Sequence, residues 1–493
     1  MNYLNNKELK DVKVISKSEY PSKSVPKAKI TKDLSSLIKE LGLNDGAVLS
    51  FHHHLRNGDK VLNLVMKEVQ KAGIKGITLV ASSLFPAHEE LIPLLEDGTI
   101  ENIVTSYISG GLGKAISHGK LKGHIIMQSH GGRARSILNE EIKIDAAFIA
   151  SPSADKMGNI SGVNGINSCG TLGYAIADGL KAKKVIAVTD SLLEYPNYPA
   201  DITEDYVDHV LMVESIGLKE GIVSGTTKVT KDPIGLKIAK DTLKVMEATG
   251  LLKDGISFQS GAGGISLAVT SYLRDYMIEN NIKGSFASGG ITGYLTDMLE
   301  EGLFTSLFDV QCFDLKAIES LKKNPNHLRM SGSLYGNPEV SSVVDNLDIV
   351  ILGATEIDTD FNVNVTTGSD GVLMGGSGGH QDTAAGSKVS IIVSKLFSSR
   401  IPFIKDRVDV ITTPGSTIDI LVTERGICVN PLRQDLIEKF NEANLKIVDI
   451  KELKEYAEKI MGEPKTIEKG ERIIGLSEYR DGSIIDYIYE VKE

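Results

Sequence analysis

Cysteine is scarce. Cys169, Cys312 and Cys428 stand more than a hundred positions apart, so neighbours in sequence form neither a C-x-x-C redox pair nor a zinc knuckle. A disulfide scaffold is excluded, and a reducing, cytoplasmic setting is expected. No apolar run reaches the roughly 18 residues needed to span a bilayer, and the N-terminus lacks the apolar stretch of a signal peptide. Positive charge is also short. Lys and Arg number 54 against 65 Asp and Glu, a net charge of −11, and no local basic patch offsets it, so neither nucleic acid nor a membrane is an expected partner. There is no G-x-x-x-x-G-K-[ST] loop and no strand-linked G-x-G-x-x-G with a downstream acid, which leaves nucleotide hydrolysis and hydride transfer without support. No metal or nucleotide cofactor is expected.

What the chain does have is length. Its 493 residues, at about 150 per domain, allow two large α/β units. Residues 1–30 are rich in Lys and Ser, contain Pro21 and Pro26, and read as a polar arm lying on a folded body. From residue 31, apolar β-branched runs at 76–80, 123–127, 146–150 and 184–188 alternate with segments of helical period such as 59–72. That alternation predicts a mostly parallel sheet flanked by helices on both faces.

The chain also repeats itself. LGLNDGAVLSF (41–51) returns as TGLLKDGISFQ (249–259), IKG (74–76) at 282–284, LLEDG (94–98) as MLEEG (298–302), and KVIAV (184–188) as KVSII (388–392). Similar motifs in the same order at a nearly constant offset predict two copies of one α/β unit, at 31–228 and 229–493. Aligned on their strand ends, FIASPSADKMGN (148–159) matches VILGATEIDTDFN (350–362), which pairs Ser153 with Glu356 and Asp155 with Asp358. Only the second copy places a carboxylate at the first of these positions.

Glu356 follows an apolar strand, so it should sit at the mouth of an open α/β site. There it serves as nucleophile, base or orienter, or is simply a solvated loop acid. The densest glycine cluster, 371–382, offers the Gly378 and Gly379 amides as oxyanion donors next to His380. Ser377, in Gly375-x-Ser377-x-Gly379, formally matches a nucleophile elbow, a cheap match in so glycine-rich a segment. In the first copy, His52, His53, Arg56, Asn57 and Gly58 form a strand-to-helix loop whose three adjacent histidines are poorly spaced for one metal and read as substrate-shaping groups. The equivalent loop of the second copy brings Gly261 and Gly263 to a helix N-terminus. Arg133 and Arg135, beside a glycine pair, suit a carboxylate or phosphate, or are an exposed pair with no ligand.

Five longer motifs, in order, are SFHHHLRNGD (50–59), SHGGRAR (129–135), SPSADKMGNISG (151–162), GSDGVLMGGSGGHQDTAAGSK (368–388) and TERGICVNPLRQDL (423–436). Over nearly its whole length the chain resembles the citrate lyase α subunits, within the CoA-transferase superfamily. The resemblance implies two tandem CoA-transferase-like α/β domains. It implies exchange of acetate for citrate on the acetyl thioester of a phosphopantetheine-type group, with a CoA thioester as surrogate. The implied partners are a γ subunit (the acyl carrier) and a β subunit (the citryl-carrier lyase), in a cytoplasmic complex serving citrate fermentation. Related CoA transferases acylate a glutamate that Glu356 matches, whereas citrate lyase α subunits pass through an acetic–citric mixed anhydride. Whether Glu356 is acylated or positions substrate is open at this point, as are a general acyl-CoA:carboxylate transferase, an acyl-CoA hydrolase and a non-catalytic ligand sensor on the same fold.

Overall fold

A computed structural model describes residues 14–19, 25–31, 33–223, 228–398, 401–463 and 467–492. The expected arm falls largely outside these. Of it, 14–19 is exposed, and Ile30–Thr31 adds a parallel edge strand beside Val210 and Leu211.

Two large sheets organise the chain. In the first, Val48–Phe51 is central. On one side follow Ile77–Ala81, Ile100–Thr105 and Ile125–Met127, and on the other Ala146–Ser151, Val185–Thr189 and His209–Met212. In the second, Ser257–Ser260 is central. It is flanked by Gly284–Ile291, Phe304–Cys312 and His327–Arg329 on one side, and by Ile349–Leu352, Val389–Val393 and Ile420–Val422 on the other. Taken from the central strand outward, the two orders are the same, and all of these pairs are parallel.

The strands are buried because helices cover both faces: all residues of Ile349–Leu352 and Val389–Val393 are inaccessible. Helix Val61–Lys71 shows the matching pattern, burying Val61, Leu62, Val65, Met66 and Val69 at helical spacing. Helix Pro233–Ala248, which opens the second half, starts on Asp232 as N-cap with Pro233 in its first turn.

One segment departs from the expected division at 228/229. The hairpin Lys469–Glu478 and Ile484–Val491 joins the first sheet, pairing Gly475, Leu476 and Ser477 with Ile125, Ile126 and Met127. Without it Ile125–Met127 would be an unpaired edge of the kind proteins cover. Nothing in the order of the repeated motifs indicates that a C-terminal segment returns to the first sheet.

The halves are laced together at the glycine-rich loop. Ile108 N–H donates to Gly375 O (3.0 Å), Gly378 N–H to Ser106 O (3.0 Å) and His130 N–H to Gly378 O (2.8 Å). Asp382 accepts from Ser129 Oγ (2.8 Å) and from Gly131 N–H (2.9 Å). Gly131 has to be glycine, because a Cβ there would stand 1.9 Å from Gly336 O.

Candidate active site

Two cavities adjoin at Gly353, which lines both. The larger, about 530 Å³, is walled by Gly263–Ser266, Gly353–Glu356 and Lys395 among others. Glu356 opens the short strand Glu356–Asp358, four residues past the end of Ile349–Leu352. The residue is 4% exposed. Lys405 Nζ stands 3.5 Å from Oε1, and Asn364 Nδ2 donates to Oε2 at 3.2 Å. The strand's register explains both neighbours, since Glu356 pairs with Asn364 and the parallel strand Ile404–Lys405 flanks Ile357 and Asp358. In the first half Ser153 opens the corresponding strand Ser153–Asp155 and pairs with Ser161. A cation and an amide donor on a buried carboxylate keep it oriented toward the cavity.

The helix Gly264–Glu279 starts at this cavity, and its N-cap Gly263 supplies no side chain to satisfy the first-turn amides. Such amides suit developing negative charge. Cβ atoms built at Gly353 and Gly263 meet nothing nearer than 4.0 Å, so the backbone there is open to a ligand.

The smaller cavity, about 350 Å³, lies between the halves. The first half contributes His53, Arg56, His130 and Tyr174; the second contributes Gln259, Gln311, Tyr335 and the loop 377–380. Arg56 is its one Lys or Arg among the described residues. Its guanidinium carbon lies 4.8 Å from the Phe313 ring centroid and 5.6 Å from that of Phe85, while Nη1 is buried with no hydrogen-bond partner. Its backbone holds φ = 51°, an uncommon value for a non-glycine residue that aims the side chain inward. His130 Nδ1 is likewise buried without a partner. Burial holds the histidines neutral: His130 is pushed down to about 3, with Arg133 adding to the effect, and His53 lies well below its ordinary range.

The predicted site residues separate into those that reach the cavities and those that do not. Glu356, His53, Arg56, Gly261, Gly263, Ser377, Gly378, Gly379 and His380 do. Two of the glycine donors are already engaged, however. Gly378 N–H is bonded to Ser106 O, and Gly261 N–H to Ile351 O (2.9 Å). The amides of Gly379 and Gly263 have no acceptor among the described residues. His380 is a brace: Nε2 donates to Gly353 O (3.1 Å) and Nδ1 accepts from Thr413 Oγ1 (2.7 Å). Burial lowers its pKa to about 4. With both nitrogens occupied it positions the Gly353 peptide and is no free acid or base. Ser377 Oγ accepts from Gln381 N–H (3.3 Å) and, among the described residues, makes no hydrogen bond to an imidazole, so nothing there activates it as the elbow reading requires.

Both arginines of the SHGGRAR motif point elsewhere. Arg133 is fully buried against Asp178 (2.8 and 3.1 Å) and Ser50 Oγ (3.1 Å). Arg135 is forked onto Glu141 (2.5 and 2.9 Å). An uncompensated guanidinium in this interior would be too costly, and carboxylates of the same half pair with both through their terminal nitrogens, each Nε remaining without a partner. His52 faces His54, with Nδ1 atoms 2.6 Å apart, and lines neither of these cavities. Asn57 accepts from Ala87 N–H (3.0 Å). Gly58 packs so that a Cβ would lie 2.0 Å from Leu218 O, and neither residue lines either of these two cavities.

Sequence reasoning passed over Lys405, Asn364, Gln259, Gln311, Tyr174 and Tyr335, which carry no local pattern. It also passed over His130, which stands inside a quoted motif whose charge drew attention to the arginines. The expectation of no metal came from sequence neighbours alone; the fold gathers Asp309, Cys312 and His327, with ligand-type atoms all within 4.8 Å. Among the described residues no helix is long and apolar enough to cross a membrane.

Comparison with known proteins places these features. Residues 27–491 match the family model for the citrate lyase alpha subunit. The chain is 45% identical to the citrate lyase alpha chain of Escherichia coli (strain K12) over 478 residues, 97% of this chain and 94% of that one. It is 44% identical to that of Klebsiella pneumoniae over 465 residues, 94% and 92% of the two. A solved structure from Streptococcus mutans, assigned as the alpha subunit of citrate lyase in complex with citrate, superposes with a TM-score of 0.93 at 45% identity, covering 96% of this chain and 93% of that one.

Proposed function

Because the chain belongs to the citrate lyase alpha-subunit family, we propose that its two adjoining cavities bring citrate and an acyl thioester together for acyl exchange. The activity is that of a citrate CoA-transferase: acetyl thioester and citrate give citryl thioester and acetate. The observation that carries the geometry is the meeting of the cavities at Gly353, the peptide that His380 holds.

Citrate belongs in the smaller cavity. Arg56 Nη1 and His130 Nδ1 are buried without partners, a cost that a carboxylate ligand removes. The larger cavity takes the thioester. Its open glycine floor at Gly263 and Gly353 accepts a narrow pantetheine-type arm, and the first-turn amides of Gly264–Glu279 face the carbonyl. In this reading the arm comes from a carrier subunit, and it supplies the thiol. A citrate carboxylate oxygen bonds to the acetyl carbonyl carbon as the C–S bond breaks. The thiolate then attacks the citryl carbonyl of the resulting mixed anhydride, the bond from that carbon to the bridging oxygen breaks, and acetate leaves carrying that oxygen. Glu356, held by Lys405 and Asn364, orients the acyl group. The Gly379 and Gly263 amides bond the oxyanion. A cytoplasmic complex with that carrier and a citryl-carrier lyase completes the reading, and the shared strand order of the two sheets supports an origin by duplication of one CoA-transferase-like unit, with domains at 31–228 and 229–493 apart from the hairpin described above.

One observation favours a covalent alternative: Glu356 lines the larger cavity, within reach of a thioester carbonyl there. The first test of the activity supplies acetyl-CoA and citrate to the purified chain and follows the thioesters by mass spectrometry. Citryl-CoA is expected. Its absence with both CoA and an acetylated carrier would overturn the assignment.

A further inference from the structure

One buried cluster has no part in acyl exchange. Asp309 and Cys312 lie on Phe304–Cys312, and His327 opens the neighbouring strand, where it pairs with Leu307. Residues three apart on a regular strand face opposite ways. Here the register against Gly284–Ile291 slips, with Gly289 opposite Asp309 but Gly290 opposite Gln311. The extra residue, Val310, is a bulge, and it turns Asp309 and Cys312 to a common side. Cys312 Sγ is 2.9 Å from Asp309 Oδ2, and His327 Nε2 is 3.4 Å from the same oxygen. All three side chains are buried.

Two features point to a ligand. His327 Nε2 and Asp309 Oδ1 are buried polar atoms without a hydrogen-bond partner. The outer atoms, by contrast, are arranged: Ser320 Oγ lies 3.1 Å from His327 Nδ1, and Thr171 Oγ1 donates to Asp309 Oδ2 at 3.1 Å. An Nδ1–H donated to Ser320 leaves the Nε2 lone pair facing the carboxylate, the tautomer of a metal-bound imidazole with its customary second partner.

We propose that Asp309, Cys312 and His327 bind a zinc-type divalent cation. A thiolate, an imidazole and a carboxylate are a borderline-soft donor set that suits Zn²⁺. Bond lengths of about 2.0–2.3 Å place tetrahedral ligand atoms roughly 3.3–3.6 Å apart, so the thiol–carboxylate contact opens on binding. The Cys312 proton passes to solvent as the S–Zn bond forms. The fourth position falls to the Thr171 hydroxyl or to water. Thr171 comes from the first half, and its chain runs close: a Cβ on Gly170 would meet Cys312 Sγ at 2.3 Å. With Thr171 in the fourth position the ion pins the halves together beneath the strand whose Gln311 holds His53 and whose succeeding Phe313 backs Arg56.

The test uses the full chain purified without chelator. Elemental analysis is expected to find one zinc per chain. After its removal, Co²⁺ should give thiolate-to-cobalt charge-transfer absorption that saturates at one equivalent. Cys312→Ser should abolish that absorption, and His327→Gln should weaken Co²⁺ binding at least about 10-fold. Because either variant could fold poorly, the cobalt titration of the unaltered chain decides. No charge-transfer absorption at one equivalent of Co²⁺, or a bound zinc that survives in Cys312→Ser, would overturn the proposal.

Discussion

Arg56 and Arg133 carry the same guanidinium in opposite surroundings, and sequence treats them alike. Arg56 lines the smaller cavity, packed against two aromatic rings with Nη1 buried and unpartnered, whereas both terminal nitrogens of Arg133 are bonded to Asp178. Arg56→Met should raise the KM for citrate by about 10- to 100-fold with little change in stability, the loss of one charge-assisted contact. Steady-state kinetics and a urea melt check both halves of that statement. Arg133→Met should do the reverse, costing about 3–5 kcal/mol of stability by stranding Asp178, with citrate KM unmoved in whatever protein folds. Glu356 drew attention because the second copy places a carboxylate where the first has Ser153. Its supports, Lys405 and Asn364, were not, since strand register brings them in from 49 and 8 residues away.

The glycine loops show what a motif conveys and what it withholds. Density of glycine marks a place where backbone approaches something closely, but not what it approaches. At Gly131 that something is the other half of the chain; at Gly263 it is open cavity. Gly379 lies between these cases, with an amide lacking an acceptor and a Cβ position 2.0 Å from Tyr335 Oη. Gly379→Ala should therefore displace a buried tyrosine, lowering stability by about 1–3 kcal/mol as overpacking does, along with kcat. Gly263→Ala should leave stability within about 0.5 kcal/mol and raise the KM for the acetyl thioester, because its methyl enters the larger cavity. Denaturation midpoints beside separate KM values for citrate and acetyl-CoA would check the contrast. The Gly378 and Gly261 amides, bonded to carbonyls 272 and 90 residues away in sequence, were beyond local reading.

At the scale of the whole molecule, the alternation of apolar runs with helical segments made the mostly parallel α/β sheets legible, whereas strand order, the C-terminal hairpin and the residues that meet between the halves required coordinates. That contact buries histidines together. His52 and His380 are lowered to about 4 and His130 to about 3, and His53 and His54 lie well below their ordinary range, all chiefly by burial. Their folded values lie below the unfolded value of about 6.5, so their contribution is intact above that pH and is lost as pH falls toward 4, by up to about 1.4 kcal/mol per pH unit for each. Asp382, raised to about 6 by burial, acts in the opposite sense over the same window, as do Asp201, Asp358, Asp419 and Glu478, which burial also raises; the five histidines outweigh them because their unfolded value lies inside that window. The urea midpoint should accordingly fall from about pH 7 to about pH 5, with net proton uptake on unfolding; an unchanged or rising midpoint would contradict the buried neutral histidines. The central claim is that citrate and the thioester meet across Gly353 without an acylated enzyme, and intact-protein mass spectrometry during turnover with acetyl-CoA and citrate tests it most directly. Citryl-CoA accumulating beside a chain of unchanged mass is the predicted result, and a CoA adduct mapped to Glu356 would contradict it.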